Sequence, residues 1–199
     1  MATGPDFGKR FHALVLAAGS ASRFGGRKLL ADWNGAPLLH AALAAARAAP
    51  VSGITVVTGA DAVEIGACIR AFDPSMGQVH AVDHAEGMAA SLRVGVAALP
   101  PEIGAVFVFL GDMPRVPHDV LQGLADAVSA GAPAAAPVFH GRRGNPVVLA
   151  REVFGAVAAL TGDTGARPIL QMLGLRVALV ESPDDGVRFD VDTRGDLSR

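Results

Sequence analysis

From Leu16 to Lys28 the chain reads Leu-Ala-Ala-Gly-Ser-Ala-Ser-Arg-Phe-Gly-Gly-Arg-Lys, an apolar strand end feeding a loop that carries both glycines and cations. Glycine lets backbone N–H groups turn toward an anion without steric penalty, and Arg23, Arg27 and Lys28 add positive charge beside them. Such a loop suits phosphate, and a triphosphate is its natural guest. Its spacing separates it from commoner loops. A Walker loop needs Gly-Lys-Ser/Thr after four residues, whereas Lys28 is followed by Leu29. Gly19, Gly25 and Gly26 cannot form the Gly-x-Gly-x-x-Gly dinucleotide fingerprint, and Gly19-Ser20-Ala21-Ser22-Arg23 is not a nucleophile elbow. The plain alternative is a strand-to-helix connection with solvated arginines. Lys9 and Lys28 are the only lysines among 17 basic residues, and a compact ammonium ending this loop suits a phosphate oxygen.

Two acidic motifs offer the complementary chemistry. In Val106-Phe107-Val108-Phe109-Leu110-Gly111-Asp112-Met113-Pro114, an unbroken apolar strand delivers a carboxylate at its tip, and Pro114 bars its continuation. Asp112 is thus placed where Mg²⁺ could bridge protein and phosphate oxygens, or where it only caps a turn. In Phe189-Asp190-Val191-Asp192-Thr193-Arg194-Gly195-Asp196, a period of two sets Asp190 and Asp192 on one side of an extended segment. One of them could complete a metal site with Asp112. Alternatively, Asp192 or Thr193 caps a final helix beginning near Thr193.

Arg143-Gly144-Asn145-Pro146 and Gly162-Asp163-Thr164-Gly165-Ala166-Arg167 each couple arginine to glycine in a loop, as a second anionic substrate arm would require. Turn chemistry with solvated arginines accounts for the same residues. Glu86-Gly87-Met88-Ala89-Ala90-Ser91 enters a helix, where Ser91 could meet a base or ribose or where the loop simply caps the helix.

The elements that must position these motifs alternate. Apolar runs over His12–Ala17, Ile54–Thr58, Val79–Asp83, Ala105–Leu110 and Arg176–Val180 predict buried strands. Helices are predicted over Pro37–Ala48, with Pro37 in the first turn, and over Ala62–Phe72, Ala89–Ala98, His118–Ala130, Arg151–Leu160 and Ala166–Leu173. This alternation implies an α/β fold of three layers, a mostly parallel sheet with helices on both faces. Ala134–Phe139 and Asn145–Leu149, around His140–Gly144, predict a β-hairpin within it. In such sheets ligands bind beyond the carboxyl ends of the strands, so the polar strand tips belong to one candidate site.

At 199 residues, 51% hydrophobic, the chain is long enough for one compact domain, expected over residues 12–199 after a flexible N-terminus over 1–11. A net charge of −2 argues against sequence-independent nucleic-acid binding. No signal-peptide core or membrane-spanning run occurs, so no membrane partner and a cytoplasmic location are expected. Cys68, the lone cysteine, falls on the apolar face of its helix and is expected in the core. His80 and His84 straddle a strand end with no third ligand at useful spacing, which argues against zinc.

Taken in order, Leu16-Ala17-Ala18-Gly19…Arg23-Phe24-Gly25…Lys28-Leu29-Leu30, Gly87-Met88…Ser91-Leu92, Gly111-Asp112-Met113-Pro114, Arg143-Gly144-Asn145-Pro146, Gly162-Asp163…Gly165-Ala166-Arg167 and Asp190-Val191-Asp192-Thr193 resemble the molybdenum cofactor nucleotidyltransferase family. That family belongs to the nucleotide-diphospho-sugar transferase-like fold. The likeness runs from residue 12 to 197, and the Ala-Ala-Gly opening with Gly-Asp-Met-Pro resembles its cytidylyltransferase branch. The resemblance implies Mg²⁺-dependent transfer of CMP from CTP to a molybdopterin-type pterin phosphate, with release of pyrophosphate.

It further implies that Ala17, Ala18, Gly19 and Ser20 line the base and ribose, with Ser91 on the base. Arg23 and Lys28 hold the phosphates and, with Asp112, form the catalytic set. Asp112 and Asp192 hold Mg²⁺, with Asp190 as second choice. Arg143, Gly144, Asn145, Asp163 and Arg167 take the acceptor, and a client molybdoenzyme is a conceivable partner. Three alternatives stand beside this expectation. The base could be guanine, from GTP. The chain could be a non-catalytic pterin carrier for a molybdoenzyme. An NAD(P)-linked oxidoreductase would share the sheet but lacks the fingerprint.

Overall fold

The computed structural model describes residues 10–20 and 24–198. Of the N-terminal segment expected to be flexible, residues 1–9 lie outside that range. The elements in chain order are β1 (Arg10–Ala17), β2 (Asp32–Trp33), β3 (Ala36–Pro37), α1 (Leu38–Ala48), β4 (Ile54–Thr58), α2 (Ala62–Phe72), β5 (Gly77–His80) and α3 (Met88–Ala97). They continue with β6 (Ile103–Leu110), α4 (Asp119–Ser129), β7 (Ala134–Phe139), β8 (Arg142–Arg143), β9 (Val147–Ala150), α5 (Phe154–Ala158), α6 (Arg167–Leu173) and β10 (Val177–Glu181).

The main sheet has the order β10-β7-β9-β6-β1-β4-β5, with β8 folded back on β7. β1 pairs in parallel with β4 and β6, β4 with β5, and β7 with β10, whereas β9 runs antiparallel between β6 and β7. The predicted hairpin therefore supplies β9, reversed among parallel neighbours, and the short β8, also antiparallel to β7, falls within its expected loop. The hairpin's register, Ala134 opposite Leu149 and Ala135 opposite Val148, buries all four residues of β9.

Side chains along the central strands alternate between two apolar layers. Ala13, Val15, Phe107 and Phe109 face the layer containing α1, α2 and α4. Leu14, Leu16, Val106 and Val108 face the layer containing α3, α5 and α6. Burial on both faces explains the uninterrupted apolar reading of β1 and β6. Cys68 is buried in the first layer, as its helical position predicted, and burial pushes its thiol pKa up.

Three details depart from expectation. β5 begins at Gly77 rather than Val79 and ends at His80, because this edge strand is mostly exposed and lacks the apolar run of its neighbours. Pro37 ends β3 and precedes α1 instead of occupying the helix's first turn. It closes a small hairpin whose turn, Asn34-Gly35, has φ of 54° and 85° at its two residues, the left-handed pair that Asn-Gly accommodates. Arg151–Leu160 opens as a 3₁₀ turn over Arg151–Val153 before the short α5.

Candidate active site

Parallel pairing aligns the carboxyl ends of β1, β4 and β6, so their tips open onto one edge. The Gly111 N–H donates to the Leu16 carbonyl at 3.0 Å, tying the tip of β6 to that of β1. A Cβ at Gly111 would lie 3.1 Å from that same oxygen, so the closeness of the two tips favours glycine immediately before Asp112. Lys28 begins a 3₁₀ turn, Lys28–Leu30, anchored by buried Leu29. Its Nζ lies 2.7 Å from Asp112 Oδ2 and 3.8 Å from Asp192 Oδ1. Residues 84 positions apart thus meet through their side chains, and the Lys28 side chain is only 12% exposed.

The C-terminal segment is held against this point by its backbone. Val191, fully buried, donates its N–H to the Asp112 carbonyl at 3.0 Å. Asp196, rather than Asp192, receives the capping bonds of the terminal turn: its Oδ2 accepts from the N–H of Asp192 and from both N–H and Oγ1 of Thr193. The capping alternative for Asp192 thus falls to Asp196, which leaves the Asp192 carboxylate facing Lys28. Asp190 is exposed as a residue, yet its carboxyl pKa is raised above the ordinary value, first by partial desolvation and then by the charges of Asp192 and Asp112.

A cavity of about 590 Å³ opens at this edge, and Ala17, Ala18, Gly19, Ser20, Lys28, Ser91, Asp112 and Asp192 all line it. A second cavity, about 320 Å³, is lined by Arg143, Gly144, Asn145, Asp163 and Arg167. The two share Leu16, Met88, Leu110 and Asp163, so they are adjoining rooms of one cleft. Asp190 lines neither of these two cavities.

The cationic cradle is smaller than the loop's composition suggested. Arg27 turns away to Glu64 Oε1 at 2.8 Å, with Asp61 at 3.9 Å, and its side chain is 64% exposed. Arg23 lies outside the described residues.

Near the second cavity the chain crosses itself tightly. The Asn145 N–H donates to the Val187 carbonyl at 2.7 Å, and a Cβ at Gly144 would strike that same carbonyl. Arg143 donates to the Leu170 carbonyl of α6 at 3.3 Å. Asp163 Oδ1 accepts the Met88 N–H at 3.0 Å, at the amino end of α3.

The larger cavity is also lined by Phe24, His84, Glu86 and Met88, to which the sequence reading gave no site role. For His84 the available signal was Gly59 at the tip of β4, where a Cβ would lie 2.7 Å from both the His84 Cβ and the Ala18 carbonyl. Only a residue without a side chain lets the 84–86 turn sit so low on the sheet.

Among the described residues no group of three or more His, Cys, Asp or Glu side chains is arranged to hold a metal ion. The available donors are the two carboxylates of Asp112 and Asp192, both within 4 Å of the Lys28 ammonium and 25% and 53% exposed. Hard oxygen donors, few in number and open to water, fit Mg²⁺, which keeps several waters and takes its other ligands from substrate phosphate. No helix among the described residues is long and apolar enough to cross a membrane.

The MobA-like NTP transferase domain model matches residues 13–179. The molybdenum cofactor cytidylyltransferase of Escherichia coli K12 is 25% identical over 184 residues, 92% of each chain. The 2-C-methyl-D-erythritol 4-phosphate cytidylyltransferase of Streptomyces coelicolor is 38% identical over 133 residues, covering 64% of this chain and 49% of that protein. The chain thus spans about half the length of that relative. Among solved structures, Rv0371c of Mycobacterium tuberculosis H37Rv superposes with a TM-score of 0.84 at 30% identity, covering 96% of this chain and 97% of its own. A second crystal structure of Rv0371c is a complex with manganese.

Proposed function

The chain belongs to the MobA-like NTP transferase family, and from that premise we propose that it transfers CMP from CTP to the terminal phosphate of a molybdopterin-type pterin, releasing pyrophosphate. The observation that carries this reading is the cleft's two-room form. A larger room with Lys28, Asp112 and Asp192 on its wall adjoins a smaller one with Arg143 and Arg167 on its rim.

The chain's own groups can do the following. Backbone N–H groups of the Gly19 loop and the Lys28 ammonium bind the triphosphate, with Arg23 assigned to the same task. Arg143 and Arg167 orient the acceptor phosphate in the smaller room. Its oxygen attacks the α-phosphorus in line. One P–O bond forms, the bond from the α-phosphorus to the β-phosphate oxygen breaks, and pyrophosphate leaves with that electron pair. No protein nucleophile is needed, since positioning and charge neutralisation supply the catalysis. Asp112 and Asp192 would hold Mg²⁺, which supplies neutralisation of phosphate charge when bound. The manganese complex of Rv0371c supports a divalent cation in this family.

Two of the relatives described above are cytidylyltransferases by name, which supports cytosine as the base. They differ in acceptor. The Streptomyces coelicolor enzyme is locally more similar, and its name favours a second reading in which an alcohol phosphate fills the smaller room. End-to-end coverage of the Escherichia coli enzyme favours the pterin. Calorimetric titration with CTP, GTP and ATP in Mg²⁺ tests the nucleotide half. CTP should bind at least tenfold tighter than the others; tighter GTP would move the chain to guanylyl transfer, and no nucleotide binding would sink the reading.

A further inference from the structure

Asp163 stands between the two rooms and lines both of them. Its Oδ1 accepts the Met88 N–H at 3.0 Å, while the carbonyl of Gly162 accepts the Ala89 N–H at 3.0 Å. These are two of the backbone donors that the start of a helix leaves without intrahelical partners. The 162–163 turn therefore caps α3 from outside, 75 residues away in sequence.

The fit between the two loops is close on both sides. A Cβ at Gly87, whose φ is +110°, would lie 2.7 Å from the carbonyl carbon and oxygen of Gly162. A Cβ at Gly165, whose φ is +53°, would lie 2.7 Å from the Met88 sulfur. Each loop thus fills the space that a side chain on the other would need, and neither can shift alone without breaking the two hydrogen bonds. What they carry differs. From this junction α3 runs on to Ser91, buried on the wall of the larger room, while the 163–167 loop leads to Arg167 on the wall of the smaller one.

We infer that Asp163 is a positioning residue that couples the two rooms: nucleotide bound against α3 orders the Gly162–Arg167 loop and so prepares the acceptor side. This inference rests on the nucleotide reading above and deepens it. Binding energy spent on one side is transmitted because Asp163 and Gly162 hold both segments in one arrangement.

The test is hydrogen exchange of the full chain with and without saturating α,β-methylene-CTP and Mg²⁺, a non-transferring probe that makes no demand on the acceptor's identity. In the wild-type chain the probe should slow exchange of amides from Gly162 to Arg167 at least about fivefold, besides those near Ser91. Asp163→Asn, whose side-chain oxygen can accept the same N–H, should retain that effect. Asp163→Ala should bind the probe yet lose it. A merely structural cap would raise exchange in the free Asp163→Ala chain but leave the nucleotide-dependent change in place, and that result overturns the coupling. Wild-type chain that binds the probe without protecting Gly162–Arg167 overturns it too, whether or not Asp163→Ala folds. Failure of the wild-type chain to bind the probe would instead remove the nucleotide reading and this inference with it.

Discussion

The Lys28 ammonium lies 2.7 Å from Asp112 and 3.8 Å from Asp192, so one lysine balances the two carboxylates that the proposed reaction assigns to a divalent cation. Two cations cannot share that point without strong repulsion. Metal binding must therefore displace Lys28, and a triphosphate offers the ammonium a new partner. Lys28→Gln should bind Mn²⁺ in the absence of nucleotide about tenfold more tightly than the wild-type chain, as read by paramagnetic resonance, while losing about 10²–10³ in turnover. Unchanged Mn²⁺ affinity would show that lysine and metal do not compete.

Asp112→Ala should lower turnover by about 10²–10³ and leave the thermal midpoint nearly unchanged. The carboxylate is partly exposed, and the structural hydrogen bond at this position, Val191 N–H to the Asp112 carbonyl, uses the backbone. Pyrophosphate release alongside a melting curve checks both halves.

Gly144→Ala should destabilise the fold by about 2–4 kcal/mol, because its Cβ would strike the Val187 backbone carbonyl, which cannot rotate aside as a side chain could. Chemical denaturation measures the loss directly. The same shift should loosen the Asn145–Val187 hydrogen bond and weaken the smaller room.

His12 is only 7% exposed, and burial holds its pKa below the ordinary 6.5. As pH falls, the unfolded chain takes up this proton before the folded one does, so stability is complete above the ordinary value and declines as pH drops through it toward the folded value. His12→Gln, which can still bond the Thr55 hydroxyl now 2.9 Å from Nε2, should flatten the loss of melting temperature between about pH 7 and 5. An unaltered pH profile would remove His12 as the cause.

Much of this architecture was legible because local pattern and tertiary role coincide. The runs ending in Ala17, Thr58 and Leu110 are apolar because both sheet faces bury them, and that same burial sets their tips side by side. Sequence spacing also picked out Lys28, Asp112 and Asp192 from distant motifs. What escaped it depends on partners far along the chain. Arg27 reads as a phosphate cation until Asp61 and Glu64 of the α2 region draw it off. The bond from the Met88 N–H to Asp163, 75 positions along the chain, had no signature in either motif. The Asn34-Gly35 turn was a readable hairpin signal, masked by the preference of Pro37 for helix starts.

Cytidylyl transfer to a pterin phosphate is tested by pyrophosphate release from CTP and Mg²⁺, with mass analysis of the product. With molybdopterin as acceptor, stoichiometric pyrophosphate and a cytosine dinucleotide of the pterin are expected. Release only with 2-C-methyl-D-erythritol 4-phosphate, or none with either acceptor, would contradict it.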